Sequence, residues 1–475
     1  MKDYVWKSIN ANKDSILGLG DAIWDFAELG FKESQSSKLY IEKLTEAGFE
    51  VESGIAGIPT AFRASYGTGQ PVIALLAEYD ALPGLSQEGG NVHHTPIPGK
   101  NAGHGCGHNG IAAGTYAAAL AIKDYLKDHK GAGKVVVYGC PSEEKGNGKT
   151  FMARDGYFGG VDAAFTWHPG DRNMVWGMRS LANVSVFFEF KGKAAHAAAS
   201  PELGRSALDA AELMSVGVNY LREHVIQEAR IHYAYIDAGG TAPNIVQDKT
   251  KVHYFIRAPK ASQVDEIYQR VINIAKGAAL MTGTTSEYTL FGGLSDFIPN
   301  PTLSKVMYES FEETGLPDFD EDDFKIAHKF FHEANSPDIV EHNKQVLIAR
   351  YGEEKGKLKI EKPLDTDLAP LSVGGGVMSG STDVGDVSYV VPTAQIMAAP
   401  FALCSTVHNW QVTAQMNTSI AHKAILSAGA AIALSAIKVI QNPELCKQAR
   451  QELNNETGGK YICPIPDDIA PRLDE

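Results

Sequence analysis

Two side chains that can bind a metal ion lie close together in the glycine-rich segment 104–109. Cys106 and His108 are separated by one glycine, and a second glycine precedes the cysteine. A deprotonated thiol and a neutral imidazole bind zinc and similar ions, and the glycines allow the backbone to turn tightly around an ion. Two ligands do not define a site on their own, so the interpretation depends on the rest of the chain.

Further residues with suitable chemistry follow predicted strands. Glu78 and Asp80 come directly after a continuous apolar run, which is typical of a strand buried on both faces of a parallel sheet. Glu143 and Glu144 follow a second predicted strand, and His168 follows a third. Such sheets place their chemistry at the carboxyl ends of the strands. Together with the Cys-x-His pair, these residues predict a site for a divalent ion of borderline softness, such as zinc, manganese, cobalt or nickel.

Several of these residues also have a purely structural interpretation. Adjacent carboxylates raise each other's pKa unless a cation lies between them, so an ion could bind Glu144 and leave Glu143 free to transfer protons. Alternatively, the two glutamates lie in a solvated loop, or Ser142 caps a helix whose first turn contains both of them. His168 could be a core histidine bonded to a carbonyl group, and His408 carries no signal on its own.

The elements that must position these side chains alternate between strand and helix. Helices are predicted over 1–47 and 110–126, and apolar strands over 71–77, 134–138 and 161–167. This alternation is the pattern of an α/β sheet with helices on both faces. We therefore predict a mixed, mostly parallel sheet flanked by helices.

The pattern changes near residue 180, where an inserted α+β domain is predicted over 181–296. Its predicted strands are 182–190, 231–238, 251–257 and 286–291, and its predicted helices are 206–224 and 261–281. Residues 1–180 and 297–475 would then form the first and second parts of the α/β domain.

The composition restricts the class of protein. A length of 475 residues suggests two domains, and the formal net charge of -14 argues against nucleic-acid binding and against electrostatic attachment to an anionic membrane. The first residues lack the apolar core of a signal peptide. Five unevenly spaced cysteines fit a reducing compartment. We expect a globular, cytoplasmic protein.

Short motifs that occur in order along nearly the whole chain carry a family resemblance. They are LLAEYDALPG (75–84), GHGCGHN (103–109), YGCPSEE (138–144), GKTFM (148–152), TWHP (166–169), GKAAHA (192–197), LGRSALDA (203–210), STDVGDV (381–387) and VHNWQ (407–411). Together they resemble the carboxypeptidase G, aminoacylase and hippurate hydrolase family of two-metal amidohydrolases and metallopeptidases. The resemblance implies a zinc-exopeptidase-like catalytic domain with an inserted lid or dimerisation domain.

The resemblance also implies roles for individual residues. Two divalent ions per subunit, zinc or manganese with cobalt or nickel as alternatives, would be bound by Cys106, His108, Glu144, His168 and His408. Glu143 would be the general base for a water that the ions activate. Cys106 would be a metal ligand and not a nucleophile, and Cys106 and Glu144 would lie nearest the second ion or bridge the two.

In the insert, the resemblance points to three residues. His196 would reach the active site of a partner subunit and help to bind the oxyanion, although a structural role at a strand end is an alternative. Asn244 and Arg257 match positions near the carboxylate of the substrate, whose two oxygens a planar guanidinium group can bind. A surface ion pair is the alternative for Arg257.

Other positions leave their roles open. Asn109 stands where many relatives have an aspartate, which could tune the metal-binding histidine. Because the amide of asparagine is neutral, the resemblance gives weaker support for this role at Asn109. Asp80 matches an acidic residue of the family without a defined role. Asp383 and Asp386 either line the site or support the loop that contains them.

The implied function is hydrolysis of a small amide, with p-aminobenzoyl-glutamate as the favoured substrate and p-aminobenzoate and glutamate as products. A broader N-acyl-amino-acid amidohydrolase, an aminoacylase or a dipeptidase is the alternative. A binding protein that has lost catalysis is a further alternative, against which the presence of Glu143 argues. The implied assembly is a homodimer or a heteromer with a homologous subunit.

Overall fold

The computed structural model describes residues 1–474, which form a seven-stranded sheet with helices around it and a separate four-stranded sheet. The helices are α1 (Lys2–Ala11), α2 (Lys13–Phe26), α3 (Ser34–Glu46), α4 (His108–Asp128), α5 (Gly148–Arg154), α6 (Ala207–Leu221), α7 (Ala261–Thr282), α8 (Pro301–Thr314), α9 (Glu321–His332), α10 (Pro337–Tyr351), α11 (Glu353–Glu361), α12 (Val384–Val390), α13 (Trp410–Gln415), α14 (Ser419–Gln441) and α15 (Glu444–Thr457). The strands are β1 (Glu50–Ser53), β2 (Phe62–Thr68), β3 (Val72–Glu78), β4 (Leu82–Pro83), β5 (Ala102–Gly103), β6 (Gly133–Cys140), β7 (Ala163–Pro169), β8 (Met174–Val175), β9 (Ala182–Lys191), β10 (Arg230–Asp237), β11 (Lys249–Ala258), β12 (Thr285–Leu294) and β13 (Thr393–Ala398).

The seven-stranded sheet has the order β1-β2-β6-β3-β7-β13-β8. Its four central strands, β6, β3, β7 and β13, are parallel. Strands β2 and β8 pair with them antiparallel, and β1 pairs antiparallel with β2. The central strands are almost continuously apolar because helices cover both faces of the sheet. The predicted mixed sheet flanked by helices is therefore confirmed.

Two alanine-rich helices, α4 and α14, pack against each other beside this sheet. Gly429 allows their close approach, since a Cβ atom there would lie 2.6 Å from the Cβ of Ala117 and 2.8 Å from the carbonyl oxygen of Gly114. Helix α14 is long and apolar enough to cross a membrane, but 89% of an 18-residue apolar stretch of it is buried inside the protein. It is a core helix of this fold.

The second sheet has the order β10-β11-β9-β12, is antiparallel throughout and lies between Ala182 and Leu294. Helices α6 and α7 cover one of its faces, where Val186, Phe188 and Tyr254 form part of a separate apolar core. Because side chains alternate along a strand, the intervening residues of β9 and β11 lie on the opposite face. That face borders the cleft described below.

Candidate metal and catalytic site

The predicted ligands lie at one edge of the seven-stranded sheet. Glu144 follows β6, His168 is near the end of β7, and His408 lies beyond β13. Because these strands are parallel, their carboxyl ends meet at the same edge. Cys106 and His108 reach the same place at the start of α4, where the intervening Gly107 has a φ of 81°, a backbone conformation that favours glycine.

The donor atoms of these five residues form two groups that share the sulfur of Cys106. One group contains Cys106, His108 and His168, the other contains Cys106, Glu144 and His408, and the atoms within each group lie within 4.8 Å of one another. The Cys106 sulfur is 3.5 Å from His168 Nε2, and Glu144 Oε2 is 3.3 Å from His408 Nε2. Ligands bonded to one ion at about 2.0–2.3 Å have similar spacings. If two ions bind here, the sulfur of Cys106 would be available to both.

Three buried atoms at this edge fit a cation. His108 Nε2, Glu144 Oε1 and Glu78 Oε2 are buried and have no hydrogen-bond partner among the described residues. His108 Nε2 is 3.8 Å from the Glu144 oxygen and 3.5 Å from the Glu78 oxygen. Each buried polar atom without a partner lowers the free energy of unfolding by about 1–3 kcal/mol. Divalent ions bound by the two donor groups would offset the negative charge and the unsatisfied atoms at this edge, so the residues present fit the metals that the resemblance implies.

Asp80 orients two of the proposed ligands. His108 Nδ1 donates a hydrogen bond of 2.8 Å to Asp80 Oδ1, and the backbone amide of Glu144 donates one of 2.9 Å to Asp80 Oδ2. The first bond leaves His108 Nε2 as the atom available to an ion, which is the usual role of a carboxylate behind a metal-binding histidine. Asn109 instead donates to the carbonyl oxygens of Gly20 and Met416, so it does not tune the histidine ring.

The two ring nitrogens of His168 have different partners, and only Nδ1 has the contact expected of a structural core histidine. His168 Nδ1 donates a hydrogen bond of 2.7 Å to the carbonyl oxygen of Pro169, as a core histidine would. The same bond turns Nε2 toward the sulfur of Cys106. The neighbouring His104, which is also buried, donates to the carbonyl oxygen of Ile23 and does not belong to either donor group.

The alternative in which Ser142 caps a helix containing both glutamates is wrong. Helix α5 begins only at Gly148, and Ser142 has a φ of 58° at the start of a turn. The backbone amide of Ser142 donates a hydrogen bond of 2.8 Å to the buried carboxyl group of Glu33, which also accepts one from the Thr60 hydroxyl group. Glu33 therefore fixes the turn that presents Glu143 and Glu144.

Glu143 lies beside the donor groups, with its Oε2 4.0 Å from His108 Nε2. Burial raises the pKa of Glu143 well above its usual range, and the charges of Glu78 and Glu144 raise it further. A bound cation would oppose this rise, so the carboxyl group is placed where its protonation can change during a reaction. This environment suits a general base.

A buried ion-pair cluster behind the site was not predicted from the sequence. Lys149 Nζ lies 2.8 Å from Glu78 Oε1 and 2.5 Å from Asp383 Oδ1, and all three residues are almost completely buried. Burial raises the pKa of Glu78, whereas the positive charges of Lys149 and His108 lower it. The two charges have the larger effect, so the pKa of Glu78 is lowered. Asp386 accepts hydrogen bonds from Thr150 and Ser295, so both aspartates support the loop and do not line the cleft.

A cleft of about 720 Å³ separates this site from the inserted sheet. Arg257 lines the cleft, lies 4.4 Å from the ring centre of Phe255, and has a buried Nε atom without a hydrogen-bond partner. No ion pair of Arg257 occurs within residues 1–474, so the surface ion pair considered for it is not formed. An unpaired guanidinium group in a cleft suits a carboxylate ligand.

His196 and Asn244 lie elsewhere on the insert. Both are exposed, they are joined through a backbone hydrogen bond from Ala197 to the Asn244 carbonyl oxygen, and neither lines the cleft of its own chain. His196 Nδ1 accepts a hydrogen bond from the backbone amide of Ala199, which leaves its Nε2 free of that contact. The structure thus separates these two residues from the five proposed ligands, and their roles stay predictions.

Alkylation of Cys106 provides a test of its assignment as a ligand. Burial raises the pKa of this thiol well above its usual range, with a further contribution from Glu144. A metal ion holds a cysteine as the thiolate and occupies its sulfur. We expect Cys106 to be protected from iodoacetamide in metal-loaded protein and labelled after chelation, as measured by peptide mass spectrometry. Equal labelling in the two states would contradict this assignment.

Known proteins are similar to this chain over most of its length. A sequence model of peptidase family M20/M25/M40 matches residues 74–348. Among curated proteins, one of the subunits of p-aminobenzoyl-glutamate hydrolase from Escherichia coli (strain K12) is 43% identical over 98% of both chains. Xaa-Arg dipeptidase of Mus musculus is 29% identical over 91% of this chain and 88% of that protein.

A solved structure shows the same fold. The dinuclear metal-binding M20 peptidase of Bacillus subtilis aligns with a TM-score of 0.59 and 18% identity, over 91% of this chain and 99% of that chain. At this identity the similarity concerns the fold, while the family is shown by the sequence matches. The resemblance inferred from the motifs is confirmed, and the chain belongs to peptidase family M20/M25/M40.

Proposed function

We propose that this protein is a metal-dependent amidohydrolase that cleaves p-aminobenzoyl-glutamate into p-aminobenzoate and glutamate. The observation that carries the proposal is the group of buried, unsatisfied donor atoms next to Glu143 at the carboxyl edge of the sheet. The substrate is inferred from the Escherichia coli relative, which is similar over almost the whole chain.

The proposed cofactors are two divalent ions, zinc or manganese, with cobalt or nickel as alternatives. When bound, they would polarise the amide carbonyl group and lower the pKa of a water molecule. Cys106, His108, Glu144, His168 and His408 would hold them. Mixed sulfur, nitrogen and oxygen donors suit these metals better than calcium or magnesium.

Glu143 would carry the proton during hydrolysis. It would accept a proton from the attacking water and deliver it to the nitrogen of the leaving amine, so that the carbon–nitrogen bond breaks without release of an unstable amide anion. Its side chain is only 10% exposed and lies beside the donor groups, which supports this role.

The inserted sheet would bind the remainder of the substrate. Arg257 provides an unpaired cation for a glutamate carboxylate, and Phe255 and Phe291 provide aromatic surfaces in the same cleft. An anionic substrate with an aromatic ring matches both features. Asn244 would contribute near the carboxylate from a partner subunit.

A second subunit would complete each active site. His196 and Asn244 are exposed and lie outside the cleft of their own chain. The insert also has an edge strand, β10, with exposed Tyr235 and Ile236, which is a surface suited to pairing with another subunit. We propose a homodimer, with a heteromer as the alternative because the Escherichia coli relative is named as one subunit of its enzyme.

The proposed compartment is the cytoplasm. All five cysteines are free thiols, and Cys106 and Cys140 are buried. Free thiols of this kind persist in a reducing environment.

Kinetics with a panel of amides would test the proposed substrate. The measurement is kcat/KM for p-aminobenzoyl-glutamate, an N-acetyl amino acid and an Xaa-Arg dipeptide, with the same metal-loaded preparation. We expect p-aminobenzoyl-glutamate to be preferred by at least about tenfold, which corresponds to about 1.4 kcal/mol of differential transition-state binding. Equal values would favour a general amidohydrolase, and a preference for the dipeptide would favour the activity of the second relative.

A further inference from the structure

Glu78 has two carboxylate oxygens in different surroundings. Its Oε1 lies 2.8 Å from Lys149 Nζ, whereas its Oε2 is buried without a hydrogen-bond partner. The unpartnered Oε2 is directed toward the metal-binding edge, 3.5 Å from His108 Nε2. Glu78, which is 2% exposed, therefore presents one fixed and one unsatisfied oxygen.

Lys149 prevents Glu78 from turning away from this edge. The lysine is itself fixed from behind, because its Nζ lies 2.5 Å from Asp383 Oδ1 and its backbone amide donates a hydrogen bond of 2.8 Å to Asp383 Oδ2. Asp383 thus directs both oxygens at Lys149, whereas Glu78 directs only one. The cluster of two acids and one base retains a net negative charge, located on the side that faces His108.

We propose that Glu78 is an additional metal ligand, which contributes Oε2 to the ion bound by His108, and that Lys149 restricts it to one coordinating oxygen. The donor atoms of Glu78, His108 and Glu143 lie within 4.8 Å of one another, so a third donor group exists beside the two that contain Cys106. Binding of an ion would satisfy the Glu78 and His108 atoms that have no other partner. The inference rests on the metal binding proposed above.

Two variants of this cluster distinguish a ligand from a merely structural charge. Glu78→Gln removes the carboxylate that faces the ion, and Asp383→Asn is the matched control, since it removes the other buried acid that pairs with Lys149. Zinc affinity is measured by competition with a chromophoric chelator, and the visible spectrum is recorded after cobalt substitution. Loss of groups outside the ligand sphere costs about 10–100-fold in affinity. Loss of a ligand should exceed this range, so we expect Glu78→Gln to lower the affinity for one of the two ions by more than about 100-fold and to alter the cobalt spectrum.

Asp383→Asn should leave the cobalt spectrum unchanged, and it should lower the affinity for the same ion less than Glu78→Gln does. Equal effects of the two variants, or unchanged affinity and spectrum in Glu78→Gln, would overturn the inference. Wild-type protein that binds no zinc would overturn the proposed function as well, so the two failures are distinguishable. If Glu78→Gln does not fold, as judged by circular dichroism, Glu78→Asp keeps a negative charge beside Lys149 and Asp383 but shortens the side chain that faces the ion, with the same expected loss of affinity.

Discussion

Replacing Glu143 by glutamine is expected to lower kcat by about 10²–10⁴-fold while the protein retains its metal ions. Glutamine has nearly the same shape as glutamate but cannot accept a proton from water. The carboxyl group of Glu143 belongs to neither of the two donor groups that share Cys106, and in the third group, with Glu78 and His108, it is assigned the role of base and not of ligand. The affinity for metal should therefore change little, although activity is almost lost. The measurement combines steady-state kinetics with elemental analysis of the same dialysed sample.

The neighbouring residue provides the matched control. Glu144→Gln removes the same charge one position along the chain, but its Oε2 is 3.3 Å from His408 Nε2 and its Oε1 is buried without a partner. This variant should lose an ion, and high metal concentration should restore part of its activity. If Glu143→Gln loses the metal and Glu144→Gln retains it, the two assigned roles are interchanged.

Replacing His196 by alanine is expected to lower kcat by about 10²–10³-fold, because a donor to the oxyanion is lost. Its metal content should be unchanged, since His196 is exposed and belongs to none of the donor groups of its own chain. The histidine is proposed to act in the active site of a partner subunit. Its effect should therefore be complemented by a subunit that supplies an intact His196.

Mixing inactive variants tests this arrangement directly. Glu143→Gln and His196→Ala protein are unfolded and refolded together, or co-expressed with different tags. Half of the dimers are then mixed, and each mixed dimer has one site with both residues intact, so about a quarter of wild-type activity should return. No recovery in purified mixed dimers would show that His196 does not act across the interface between two copies of this chain.

Replacing Ile236 by lysine tests whether the exposed edge strand β10 forms the dimer interface.

The sequence predicted the elements that depend on local patterns. Continuous apolar runs identified the buried parallel strands, and a partly alternating pattern over 182–190 identified the first strand of the inserted sheet. The convergence of Glu144 and His168 was also expected, since both follow predicted parallel strands, whose carboxyl ends meet at one edge. The family and the mixed α/β fold are confirmed, while the role of each site residue stays a prediction.

The buried charges could not be predicted in the same way. Lys149 lies in a short helix between a glycine and a threonine, where a lysine is usually exposed, and its partners Glu78 and Asp383 are far away in the sequence. Ser142 matches a helix cap by residue type, but its amide is held by Glu33 from the N-terminal helices. Only tertiary contacts could reveal these pairings. One signal was present in the sequence, because Lys149 belongs to one of the motifs that carry the family resemblance.

Metal titration of the metal-free protein is the most direct test of a two-metal amidohydrolase. Hydrolysis of p-aminobenzoyl-glutamate is followed while zinc or manganese is added, and bound metal is measured in the same samples. The rate should be close to zero after chelation, rise with added metal and reach a plateau at two bound ions per chain. Full activity in the chelated protein, or no hydrolysis when two ions are bound, would contradict the proposed function.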